Sequence, residues 1–411
     1  MPISNLQLYD EPNAMEHIKS LAFNRTASSV GETEALNYIE KELIENNITP
    51  EVEHFDWTGP LKILMRTSYL LIIINLILFR MILIVVAYFI LKYSFANFRE
   101  VSFIKSEESK NIFALIKAKE KTPERPLVII SAHYDSISAN IPYRLQVIIF
   151  FIYRLIVVFY IIVFVVFIAI FLFDFFALIR LSLSNLLIIF ISFSSIGGVF
   201  LSIPILYLVF RERPSSGSVD NASGIAISLE LAKILKKNPL NNMDVLILWP
   251  GAEEWGLKGS RRFCKTHFKS LKKIYDLDNS FNINIDMVGS YIGLLNKSGI
   301  IFRRKTNKSL NDIFGATANQ LNIPLKIYNK AIKPNSDYKS FQKYAKKTNS
   351  KFQVSCFHSS ADSKYIHSIK DTPDKCSLEA LNGCINICHQ ALRSIDIRKE
   401  GVKRSQITYA V

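Results

Sequence analysis

Over residues 12–48 apolar positions recur every three or four residues, which predicts two amphipathic helices; the second opens near Gly31 in "ETEALNYIEKELIENN". "EVEHFDW" alternates apolar and polar and predicts a strand, as do "NIFALIKAK" and "RPLVIISAHYD", which are split by a charged Lys/Glu/Pro turn. Beyond residue 212 the periods of 3.6 and 2 take turns. They predict helices over 224–237, 257–274, 309–321, 337–347 and 378–394, and strands over 244–249, 281–287, 299–304, 324–328 and 352–357. Such alternation argues for an α/β sheet with helices on both faces. There is no internal repeat and no low-complexity segment.

Two stretches break this pattern. Residues 64–93 and 145–210 are almost continuously apolar, and each half of the second exceeds the ~20 residues that cross a bilayer. A polar break, "DFFALIRLSLSN", splits the second block, so it predicts a transmembrane hairpin that returns the chain to the side it left. The first block suits one span in length, yet strand candidates on both sides of it require an even number of crossings. Arg80 lies near its centre, where a charge costs about 2.5–3.5 kcal/mol on insertion scales. A shallow hairpin of two half-length helices reconciles length with parity. The expected organisation is a catalytic domain made of 1–61, 95–143 and 212–411, interrupted by an apolar insertion at 62–94 and a transmembrane insertion at 144–211.

Composition fits an integral membrane protein: 49% of the 411 residues are hydrophobic. The net charge of +15 raises a nucleic-acid partner, but the Lys and Arg are dispersed along ordinary helices, and several (Lys62, Arg66, Arg99, Arg144, Arg211, Arg213) flank the apolar blocks. That placement suits a lipid bilayer as partner and no nucleic acid, and it favours a cytoplasmic catalytic domain. Five Cys imply no disulfide framework and a reducing compartment. The polar N-terminus has no signal-peptide pattern.

Polar clusters stand at the ends of the apolar strands: "SAHYDS" with His133 and Asp135, "WPGAEEWG" with Glu253 and Glu254, "NINIDMVGS" with Asp286, and "YIHSIKDTPD" with His367. "SVDNASG", with Asp220, precedes a helix. Singly each has a bland explanation: a turn hydrogen bond, a solvated helix start, or an N-cap. Asp286 resists one, because a carboxylate among apolar neighbours needs a partner or a metal. At the carboxyl ends of the strands the clusters would converge in one crevice. Their imidazoles and carboxylates are the ligand chemistry of a hydrolytic zinc site, enough for two metals that share a carboxylate.

These motifs, in this order, together with the N-terminal "FNRTASSVGETEALNYIEKELIENN", resemble the co-catalytic di-zinc exopeptidases, the family of bacterial leucyl aminopeptidases and glutamate carboxypeptidase. The resemblance implies a mixed, mostly parallel sheet sandwiched by helices and two Zn2+ ions. Asp220 would bridge the ions, with His133 and Asp286 completing one ligand set and Glu254 and His367 the other. Glu253 would be the general base and Asp135 would orient His133. One departure falls in "NSDYKSF", where the family often has His and this chain has Tyr338; Tyr338 would donate to a developing oxyanion, or pack at the surface as a helix-start residue. The remaining histidines (His17, His54, His267, His358, His389) read as structural. Cys384 and Cys388 read as buried thiols on a core-facing helix.

The expected function is that of a membrane-anchored zinc exopeptidase, aminopeptidase-like, that cleaves a peptide substrate with a di-zinc-bound hydroxide. Rival expectations are a zinc amidohydrolase acting on a lipid-linked amide, and a non-enzymatic membrane scaffold, which would have lost ligands. Nothing in the sequence determines oligomeric state or amino- versus carboxypeptidase selectivity.

Overall fold

A computed structural model describes residues 13–57, 107–138, 215–299, 303–330 and 334–408, with side chains as far as 397, and the positions 148, 151, 155, 158, 159, 162 and 165. The chain divides into two units. One comprises Met1–Trp57, Glu108–Ser138 and Arg213–Val411; the other comprises Thr58–Glu107 and Ala139–Glu212. The expected insertions at 62–94 and 144–211 lie outside the described residues, apart from the seven positions in the second. Ile148, Phe151, Leu155, Val158, Phe159, Ile162 and Val165 are helical, three or four residues apart for the most part, and 39–58% exposed. Among the described residues no helix is long and apolar enough to cross a membrane.

In the first unit, α1 (Ala14–Ser20) and α2 (Val30–Glu45) precede β1 (Pro50–Trp57). Strands β2 (Glu107–Ile116) and β3 (Leu127–Ser131) follow. Alternation then resumes with α3 (Ser223–Lys237), β4 (Asp244–Trp249), α4 (Lys258–Ile274) and β5 (Phe281–Ile285). Next come β6 (Gly293–Ser298), β7 (Arg304–Lys305), α5 (Leu310–Gln320) and β8 (Lys326–Lys330). The chain closes with α6 (Tyr338–Lys347), β9 (Gln353–Phe357) and α7 (Leu378–Thr408).

The strands form one sheet in the order β1-β2-β4-β3-β5-β9-β6-β7, with β8 paired to β6. Its centre, β4-β3-β5-β9, is parallel throughout, while β2 runs antiparallel to β4, and β6 antiparallel to β9 and β7. Parallel central strands are buried on both faces, which is why β3, β4 and β5 are buried at every position. Helices α4 and α6 cover one face: Phe263, Phe268, Phe341 and Ala345 pack with Leu127, Ile129, Leu246 and Leu248 in one cluster. Each fully buried Phe contributes roughly 1.5–3 kcal/mol there. Helix α3, buried over most of its length, packs against β4 and β5 with α1, α2 and α7 around it.

Two expectations shift. The strand placed at 299–304 is β6 at Gly293–Ser298, with only Arg304–Lys305 paired beyond it; 300–302 lie outside the described residues. Gly293, Asn296 and Lys297 dilute the apolar signal of β6, whereas Leu294 and Leu295 are fully buried by their place beside β9. The final helix, expected to stop at 394, continues to Thr408. Its extension, "IDIRKEGVKRSQIT", has only scattered apolar residues and no continuous apolar face, so periodicity could not mark it.

Ser29 caps α2 by accepting the Glu32 N–H (3.2 Å), and Glu32 Oε2 accepts the Ser28 N–H (2.6 Å) in return. Glu32 Oε1 also accepts the Ser109 hydroxyl. Burial nevertheless pushes the Glu32 carboxyl up to about 7, against the pull of both donors. A raised carboxyl stabilises the fold fully below its unfolded value of 4.5 and loses that contribution as pH rises through about 7. Glu32→Gln should therefore gain thermal stability relative to the parent as pH climbs across this window. Melting temperatures of both proteins over the same pH series test this, and a difference independent of pH would refute it.

Candidate metal centre

The parallel order β4-β3-β5-β9 brings four strand ends to one edge of the sheet. His133 and Asp135 follow β3, Glu253 and Glu254 follow β4, and Asp286 follows β5. Asp220 lies in the turn of 218–222 that leads into α3, and His367 in the loop after β9. His133, Asp220 and Asp286 each offer an atom within 4.8 Å of the others, and so do Asp220, Glu254 and His367. Asp220 belongs to both groups. Its Oδ1 lies 3.2 Å from His133 Nε2 and its Oδ2 lies 3.3 Å from His367 Nε2.

The second partners complete each side. His133 Nε2 is 3.6 Å from Asp286 Oδ1, and His367 Nε2 is 3.1 Å from Glu254 Oε2. His133 Nδ1 donates to the main-chain carbonyl of Asp135 (3.1 Å), which turns Nε2 toward the carboxylates. The Asp135 carboxylate stands farther off, 3.6 Å from Nδ1. It instead accepts the N–H groups of Glu253 (2.9 Å) and Glu254 (3.2 Å). Asp135 thus orients His133 mainly through its backbone, while its side chain holds the Glu253–Glu254 loop.

Charge is concentrated here. Burial and the carboxylates of Asp337, Glu254 and Asp286 hold the Glu253 carboxyl well above its ordinary value, with His133 opposing. Burial also raises Glu254, aided by Asp220. Burial would lower both imidazoles, yet the surrounding carboxylates outweigh it, raising His133 well above its usual value and His367 to about 10. For Asp220 burial is overcome by the two histidines, and its carboxyl is depressed. Oε1 of both Glu253 and Glu254 is buried without a hydrogen-bond partner. Two imidazoles among this many carboxylates leave surplus negative charge and orphaned acceptors, and N/O donors in two trios with one shared carboxylate fit divalent zinc.

Three residues support this arrangement without standing in either trio. Asn221 Oδ1 accepts the Met287 N–H (3.0 Å) and its Nδ2 donates to Ile285 O (3.0 Å), which clamps the backbone on both sides of Asp286. Asp371 accepts the N–H groups of Val219 (2.6 Å) and Asp220 (3.3 Å). Arg25, fully buried, donates to the carbonyls of Tyr134, Ser216 and Gly217, each at 2.9 Å, and so ties the His133 segment to the Asp220 turn. Gly217 permits that approach: at φ 59°, a Cβ would lie 2.8 Å from Arg25 Nη2 and 2.7 Å from Ser136 Cβ. The segments "FNRT", "SVDNASG" and "IKDTPD" contain these residues, but side chains that bond to distant backbone leave no periodic trace. Asp371→Asn, nearly isosteric, would set an NH2 against one of the two donors. It should lower metal affinity about 10- to 100-fold, the range seen when outer partners are lost. Unchanged zinc affinity by chelator competition would refute that role.

Tyr338, the further sequence candidate, joins neither trio. It is fully buried in the α4–α6 core, not packed at the surface, and its hydroxyl donates to Pro334 O (3.2 Å). Its neighbour Asp337 is the group the pattern missed. Burial and nearby carboxylates raise it to about 7, against the pull of His133 and the Ser260 hydroxyl. His358 is buried beside Asp286, donating Nδ1 to Asp286 O (3.2 Å), and burial lowers its pKa. Cys384 and Cys388 are buried and free, as are the other three cysteines.

Residues 202–392 match the sequence profile of Peptidase family M28. Aminopeptidase YwaD of Bacillus subtilis (strain 168) is 38% identical over 78 residues, 18% of this chain and 16% of that protein. The matched part is thus under a fifth of that relative's length. Among solved structures, the aminopeptidase from Aneurinibacillus sp. strain AM-1 superposes with a TM-score of 0.56 at 15% identity, covering 94% of each chain. A zinc aminopeptidase from Bacillus subtilis, BSAP, gives 0.54 at 13% identity, covering 94% of this chain and 95% of its own. A glutaminyl cyclase from an Acidobacteriales bacterium gives 0.52 at 14% identity, covering 94% and 93%. At these identities the likeness is one of fold. The profile match covers residues 202–392, and beyond it the likeness to these aminopeptidases is one of fold.

Proposed function

We propose that the protein is a membrane-anchored, aminopeptidase-like exopeptidase that works with two zinc ions. The observation that carries this is the position of Asp220, whose two oxygens face different trios. His133 and Asp286 would hold one ion, Glu254 and His367 the other, and Asp220 both. Zinc in such a site acts as a Lewis acid on the scissile carbonyl and lowers the pKa of water.

Glu253 performs the proton work. Its Oε1 is buried and unpartnered, and its loop is fixed by two N–H bonds to Asp135. Its carboxyl, raised by burial and the neighbouring carboxylates, would accept a proton from the attacking water and pass it to the leaving amine. Asn221, Asp371 and Arg25 keep the ligand-bearing backbone rigid through both transfers.

Anchoring is supported by hydropathy over 64–93 and 145–210 and by the exposed apolar positions from Ile148 to Val165. Basic flanks favour a cytoplasmic side for the catalytic unit. The deciding experiment is a cleavage profile over peptides blocked at either end, with acylated amides in parallel, with and without added zinc. Zinc-dependent release of unblocked N-terminal residues is expected. Cleavage of acylated amides alone would replace this substrate class with a lipid-linked one, and no zinc-dependent cleavage would refute the function.

A further inference from the structure

Along the chain the Lys and Arg look dispersed, but the pairing of α4 with α6 gathers them. Helix α4 carries seven and α6 four, and neither helix contains an Asp or Glu. The two helices pack against each other, and their aromatic sides enter the core through Phe263, Phe268 and Phe341. Their outer sides are therefore cationic: Lys265, Lys269, Lys273, Lys343, Lys346 and Lys347 are all exposed. Glu53 comes in from β1 to pair with Arg262. Helix α2, which packs on α3, has the opposite character, with five Glu and one Lys. Eleven of the chain's 50 Lys and Arg thus lie on two packed helices that hold no Asp or Glu.

We infer that the α4–α6 face is an electrostatic docking surface for an anionic lipid bilayer. Nine of its eleven cations are Lys. Hydrated point charges on flexible stems suit a diffuse field of headgroups, whereas reading nucleic acid draws on Arg forks and stacked aromatics. Ile274, 59% exposed at the end of α4, adds an apolar residue beside the charges, as interfacial helices do. The choice of lipid over another polyanion rests on the membrane anchoring proposed above.

The test uses the full chain in nanodiscs of phosphatidylcholine, alone or with about 30% phosphatidylserine, and measures lysine acylation by mass spectrometry. Labelling of Lys265, Lys269, Lys343 and Lys346 should fall at least about fivefold in the anionic discs and recover at about 0.5 M salt, with Lys41 on α2 unchanged. In the variant K265E/K269E/K343E/K346E, Lys273 and Lys347 should stay fully labelled in both discs, while hydrolysis of a water-soluble peptide is retained. Equal labelling of the parent in both compositions would overturn the inference. So would protection by added RNA without protection by phosphatidylserine. A chain that fails to enter phosphatidylcholine discs yet binds anionic ones reversibly with salt supports the inference and refutes the apolar anchor alone.

Discussion

Glu253→Gln is expected to bind zinc as the parent does and to lose about 10²- to 10⁴-fold in kcat, the usual worth of a general base. The side chain stands in neither trio, so the donors to metal are untouched. Its size is preserved, and its loop is fixed through main-chain N–H groups that the substitution leaves in place. What disappears is the buried, unpartnered acceptor. An amide oxygen there cannot hold a proton between water and leaving amine. Because the proton is needed only in the transition state, KM should change little. Metal analysis alongside steady-state kinetics measures both halves of the expectation. Parent-like turnover in a zinc-replete variant would remove Glu253 from the mechanism.

Asp220→Ala should be more disruptive, since one side chain serves both trios. Losing it separates His133 and His367 from the carboxylate each faces at 3.2 and 3.3 Å. Affinity for zinc should fall by more than the roughly 100-fold associated with an outer partner, and activity should vanish at ordinary zinc concentrations. His133→Ala touches one trio only and should remove one class of zinc while leaving the other. Stoichiometry by elemental analysis and chelator titration separates the two variants. Identical metal loss in both would argue against a shared ligand.

Much of the element order was legible because each element has its own local period. The α4 apolar positions, Phe263, Cys264, Phe268 and Leu271, recur at helical spacing among polar residues that include seven Lys and Arg and no Asp or Glu. The parallel central strands read as short apolar runs because both faces are covered. Strand β6 escaped because its burial comes from neighbours, not from its own pattern. The candidate residues stood out for a related reason: a carboxylate or imidazole at the end of an apolar strand is conspicuous locally, and strand ends meet at one sheet edge.

By itself the sequence determined the residue types at the strand ends, the order of helices and strands beyond residue 212, and the two apolar blocks. Only the tertiary structure decided which of those residues share a donor group, that Asp135 works mainly through its backbone on His133, and that Tyr338 belongs to the core. It also decided that Asp371, Asn221 and Arg25 hold the segments that carry the two trios. The segregation of cations onto one pair of helices belongs with these. The physical reason is common to them all. Periodicity and turn chemistry act over a few residues, whereas desolvation, charge coupling and side-chain bonds to distant backbone arise only when segments far apart in the chain are brought within hydrogen-bond reach.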